Sequence, residues 1–237
     1  MELPVRNDRR HDHQDAPDSL LPQVGRTIWD NTPALLVGSL LVSAAAAPGL
    51  VLATGSWWAL GWPVLVLGAG SVWAGIVAVA GRLLDGDGVT LAGLLRDVRR
   101  HAGAGTRIAV VPAVVGGILF GTLEALDRTP AAGWLAAAAL LDAGGAIVVA
   151  TSLVSVFTLA VERGLAGRRL WLASAGVTIT RPAPVLGTVT LAMITAWIAM
   201  VAGPVALVLI APLAVLCAAV SRHALARARS PGGLDPR

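Results

Sequence analysis

Few residues in this 237-residue chain could do chemistry, and they are scattered. Asp142 is the most suggestive, because an acid within a long apolar run is costly in a bilayer and marks a proton or cation site by default. It falls about 12 Å of helix beyond Trp134, at about 1.5 Å per residue. A relay needs a second ionisable group, and the apolar runs 33–54, 62–81, 184–202 and 204–220 contain no Asp, Glu, His, Lys or Arg. The run from Trp134 to Val161 also exceeds one crossing, so Asp142 can equally be a hydrated or hydrogen-bonded acid in the outer interfacial third. Glu124 and Asp127 have the spacing of paired carboxylates on a helix, but they border a short polar segment and read as solvated. His11, Asp12 and His13 form a ligand-like triplet in a polar tail with nothing nearby to preorganise a metal. His101 and His223 lie among arginines and read as surface residues. The single cysteine, Cys217, excludes an intrachain disulfide or a paired-Cys metal site. No Gly-x-Ser-x-Gly and no phosphate-binding glycine loop ending in Lys occurs. The chain is therefore expected to be noncatalytic and to hold no cofactor.

The elements that would carry these residues are helices in a membrane. Hydrophobic residues make up 56% of the chain and charged residues 14%, outside the usual soluble range. No charge appears from Thr32 to Gly81, and fifty helical residues would reach about 75 Å, so two spans must share that run. The segment Gly55-Ser56-Trp57-Trp58-Ala59-Leu60-Gly61-Trp62-Pro63 offers the reversal, with glycines and a proline for the turn and tryptophans for the headgroup level. The uncharged stretch Pro182–Ser221 divides in the same way at Gly203-Pro204. The reading is an all-α polytopic bundle with six transmembrane helices, at about 33–54, 62–81, 107–123, 134–161, 184–202 and 204–220. A polar tail with a short interfacial helix, 1–31, precedes the membrane domain, 32–221, and a basic tail, 222–237, follows it.

Arginine tests that reading. All 18 basic residues are Arg. Arg6, Arg9, Arg10 and Arg26 precede the first span; Arg82, Arg96, Arg99, Arg100 and Arg107 join the second and third. Arg163, Arg168, Arg169 and Arg181 join the fourth and fifth; Arg222, Arg227, Arg229 and Arg237 close the chain. Only Arg128 falls on the other side, so the positive-inside rule assigns both termini and both long loops to the cytoplasm. The Ala-, Gly- and Arg-rich composition, without Lys or Tyr, fits a GC-rich bacterial genome and hence a bacterial plasma membrane. The arginines flank apolar spans, which points to anionic lipid headgroups as their partner and not to nucleic acid.

Both long loops carry amphipathic segments. Thr90 is placed to cap a helix whose Leu91, Leu94, Leu95 and Val98 form one apolar stripe, with Arg96, Asp97, Arg99 and Arg100 off it. Residues 90–102 are thus expected to lie in the interface, with Leu94 and Leu95 entering lipid and the arginines meeting headgroups or a partner protein. Leu170, Trp171, Ser174 and Val177 repeat the design more weakly after Arg168-Arg169. The shared plan hints at a parallel repeat of the second and third spans in the fourth and fifth. Leu20, Leu21, Val24, Ile28 and Trp29 give the third surface helix.

On these residues the chain resembles the YesL-type membrane proteins of bacteria, a domain of unknown function, over roughly residues 20–225. The likeness rests on the helix before the first span, Pro48 late in that span, and Gly86-Asp87-Gly88-Val89-Thr90 leading into Leu94-Leu95-Arg96-Asp97-Val98-Arg99-Arg100. Phe157-Thr158-Leu159 followed by Arg163, and Arg181-Pro182 before the fifth span, extend it. Thr158 stands where the family pattern has proline, and the aromatic content is low. The resemblance implies an accessory role in carbohydrate uptake or utilisation, with no catalytic residues to carry over.

Small residues at four-residue spacing, Ser39, Ser43 and Ala47, then Gly117 and Gly121, then Thr151 and Ser155, are expected to let helices approach closely. Three functions fit. The leading one is a noncatalytic accessory or scaffold protein with a membrane partner such as a transporter. The second is a small-solute transporter or permease component, with Pro48, Pro112, Pro204 and Pro212 breaking helices near a site. An intramembrane enzyme is third.

Overall fold

The computed structural model of the protein describes residues 20–55, 57–129, 133–180, 182–202 and 210–227. The His11-Asp12-His13 triplet, Arg181, the Gly203-Pro204 break and the end of the basic tail lie outside the described residues. All elements among the described residues are helices: α1 (Leu20–Asp30), α2 (Thr32–Ala53), α3 (Trp58–Leu84), α4 (Leu91–Arg128), α5 (Gly133–Arg163), α6 (Gly167–Thr180), α7 (Pro182–Ala202) and α8 (Ile210–Arg227). Four of them, α2, α3, α4 and α5, are long and apolar enough to cross a membrane, which makes this a multi-pass membrane protein. The described apolar part of α8, Ile210–His223, is shorter, about 21 Å by the helical rise. Between Gly167–Thr180 and Val185–Thr195 the axis turns by 101°, so α6 lies across the direction of α7.

The largest departure from the expected boundaries is α4. A surface helix over 90–102 and a separate span at 107–123 are in fact one helix of 38 residues. Thr90 does cap it, its hydroxyl accepting the Gly93 N–H at 3.2 Å. Nothing after that stops the helix. His101-Ala-Gly-Ala-Gly-Thr106 holds two glycines, each costing about 1 kcal/mol in a helix, but no proline. Gly105 is also required where it is, since a Cβ there would stand 2.2 Å from the Gly70 carbonyl oxygen. Likewise α2 and α4 run unbroken through Pro48 and Pro112, so neither proline opens a break in its helix.

Glycines set the closeness of the first three helices. A Cβ on Gly49 would meet Leu65 backbone at 2.1 Å, one on Gly68 the Ala45 carbonyl at 2.2 Å, and one on Gly75 the Val98 Cα at 2.3 Å. In contrast Gly117 and Gly121, expected at a helix contact, have nothing within 4 Å and face outward. The face of α4 that carries them is exposed; the packed face uses Gly105, Ala109 and Gly116 instead. Ser39 is nearly fully buried, and its hydroxyl accepts the Ala211 N–H at 3.0 Å. That N–H belongs to the first described turn of α8, so the bond ties α2 to α8. The core sits around the second half of α3, with Ile76, Val77 and Val79 packed against Leu94 of α4, Val156 and Leu159 of α5 and Val215 of α8.

Candidate functional site

The end of the bundle where α3, α5 and α8 finish and α4 begins gathers most of the charge. Arg222 of α8 makes two parallel hydrogen bonds to Asp85, at 2.7 and 3.1 Å, and a third to Glu162 at the end of α5. Arg82 of α3 donates to Asp97 of α4 at 3.0 Å and lies 3.8 Å from Asp87. These ion pairs tie four helix ends together. Partial burial lowers the tendency of the Arg222 guanidinium to stay charged, but the hydrogen bonds to Asp85 and Glu162 outweigh it and its pKa is raised. Sequence reading missed the network because its members are 60 and 137 residues apart. Gly81 leaves the room for it, its Cα lacking the side chain that would crowd Arg222 and Glu162.

The remaining arginines of α4 do something different. Arg96, Arg99, Arg100 and Arg107 are exposed and, among the described residues, none has a carboxylate partner. At about 100° per residue they share one face, which continues as Val110, Val114 and Ile118, also exposed. One helix face therefore changes from cationic to apolar between Arg107 and Val110. From Val110 to Arg128 the helix rises about 27 Å, close to the roughly 30 Å of a hydrocarbon core.

The stripe of leucines beside these arginines is split. Leu95 is 47% exposed and can meet lipid, whereas Leu94 is 1% exposed and packs in the protein core. Leu94 is thus corrected from a lipid contact to a core residue, because α3 claims that face of α4. Arg168 and Arg169 are exposed at the start of α6, and Trp171 is half-buried against the core. Between α5 and α6, Ser155 and Ser174 hydroxyls lie 2.8 Å apart and Ser174 donates to the Ser152 carbonyl at 2.7 Å. Thr158, one turn on, is buried with no partner for its hydroxyl among the described residues.

Asp142 sits at the other end of the bundle. The Thr122 hydroxyl of α4 donates to its Oδ2 at 2.6 Å, and no cation among the described residues pairs with it. Glu124 pairs with Arg128 one turn on, a contact on the exposed surface of α4. Among the described residues no three His, Cys, Asp or Glu side chains converge on a metal position. Comparison of the chain with protein-family models, with curated proteins and with solved structures finds no match.

Proposed function

We propose that the protein is a noncatalytic accessory or scaffold protein of the bacterial plasma membrane, of the YesL type, with six spans and both termini in the cytoplasm. The observation that carries this reading is the row Arg96, Arg99, Arg100 and Arg107, exposed and, among the described residues, without ion-pair partners while Arg82 and Arg222 are held in the network. Cations left unpaired on a rigid helix are available to something outside the chain: anionic headgroups at the membrane surface and an acidic face of a membrane partner such as a transporter for carbohydrate. The arginine-to-valine switch on α4, with Arg168 and Arg169 near the same end, supports this orientation through the positive-inside rule.

A photo-crosslinking residue at Arg96 or Arg100 in living cells tests the proposal. One discrete adduct with a membrane protein is expected, lost when Arg99 and Arg107 are changed to Glu while insertion and abundance stay unchanged. Adducts with lipid alone, or an adduct indifferent to charge reversal, would count against the scaffold reading. The transporter reading is the alternative, and Asp142 discriminates. Asp142→Asn keeps an acceptor for the Thr122 hydroxyl and is expected to leave assembly intact. Complete loss of a solute-uptake phenotype with intact assembly would favour the transporter.

A further inference from the structure

We infer that the bundle holds one phospholipid acyl chain in an open apolar cleft, taken from the leaflet on the arginine-rich side. The cleft, of about 680 Å³, lies among α3, α4, α5, α7 and α8. That is within the range of about 300–1,000 Å³ typical of ligand pockets. Among the described residues no charged side chain lines it; the side-chain polar groups are the Thr188 hydroxyl, the Cys217 thiol and the indole N–H groups of Trp73 and Trp62, the last already given to the Ala113 carbonyl at 3.0 Å. A polar solute would lose its water there with almost nothing in exchange, and a water molecule needs two to four polar partners that such walls do not provide. The occupant is therefore hydrocarbon.

Position and length identify which hydrocarbon. Ala109 and Pro112 line the cavity, so it begins at the level where the outer face of α4 changes from Arg107 to Val110. Trp73 marks that end on α3 and Trp62, packed on Gly116, the other. From Trp73 to Trp62 the helix rises about 16 Å, which is close to half of a roughly 30 Å hydrocarbon core. The cavity thus spans one leaflet, starting at the headgroup level. It also has a side mouth, because Ala150 of α5 and Met193 of α7 line it and are exposed, Met193 by 68%. A lipid whose headgroup stays at the surface can pass one chain between these helices without leaving its leaflet.

The full-length protein reconstituted in phosphatidylethanolamine and phosphatidylglycerol vesicles, with a phosphatidylglycerol carrying a mid-chain diazirine, gives the test. After irradiation, adducts mapped by mass spectrometry are expected on inward residues such as Leu153, Val189 and Cys217 as well as on outward Leu140 and Ile147. Filling the cavity with Ala192→Trp should cut the inward adducts at least tenfold and leave the outward ones unchanged. Ala192→Phe and Ala150→Phe serve if the larger side chain prevents folding. Absence of inward adducts, inward adducts that survive filling, or a co-purified apolar molecule other than a phospholipid that blocks them would each overturn the inference.

Discussion

Ser39 illustrates how a single hydroxyl acts differently in a membrane protein from the way its spacing suggests. Its four-residue relation to Ser43 fits a contact stripe, yet the hydroxyl also reaches across to α8, where it accepts the Ala211 N–H. Ser39→Ala would remove this interhelical hydrogen bond, a net loss of about 0.5–1.5 kcal/mol. The expected outcome is a lower midpoint in denaturant unfolding of the purified protein, with Ser43→Ala nearly silent because Ser43 bonds only within its own helix, to the Ser39 carbonyl. Asp142 was legible from the sequence as an isolated acid, and its isolation among the described residues is of the same kind: one threonine hydroxyl and no cation. Its partner, Thr122, was not legible, since a neutral hydroxyl in an apolar run carries no pattern. The Arg222–Asp85–Glu162 contacts were hidden for a related reason, as charge counting sorts arginines by side and cannot say which acids they meet.

At the scale of the element, α4 is the instructive case. Its amphipathic start, its Thr90 cap and the apolar run after Arg107 could all be read from residue types. Its continuity could not, because a change in polarity along a chain resembles a boundary when the helix simply passes from one medium to another. The two leucines show the energetic side of this. Leu94→Ala removes a core side chain and should cost about 2–5 kcal/mol, whereas Leu95→Ala, on the exposed face, should cost far less. Equal effects of the two in unfolding experiments would mean that both lie in the same environment. Gly105→Val makes the stronger claim: with the Gly70 carbonyl 2.2 Å from the added Cβ, α3 and α4 cannot keep their spacing. A longer distance between spin labels placed on α3 and α4 in the variant than in the parent would report that separation.

For the whole molecule, the placement of arginines is the tightest constraint that composition provides, and it concerns direction. Single cysteines at Gly103 and Ala166 in a Cys217→Ala background should be protected from an impermeant thiol reagent in intact cells, while one at Thr129 reacts. Labelling of 103 or 166 from outside would reverse the orientation. The four long spans were readable because apolar runs of their length have few other uses. The end of the chain is less complete: Ile210–His223 is the described apolar part of α8, and the apolar residues 204–209 that precede it lie outside the described residues.

The unbroken course of α4 has a mechanical consequence. A helix of 38 residues is about 57 Å long, and it stays continuous even through Pro112, which has no N–H to give to the ladder. Its basic end projects beyond the point where its face turns apolar, and its far end carries Phe120, stacked edge-on against Trp58 and Trp62. Close approaches to α3 at Val98, Gly105 and Gly116 clamp it at three levels, so the charged end of α4 and its aromatic end are held in one fixed relation to α3.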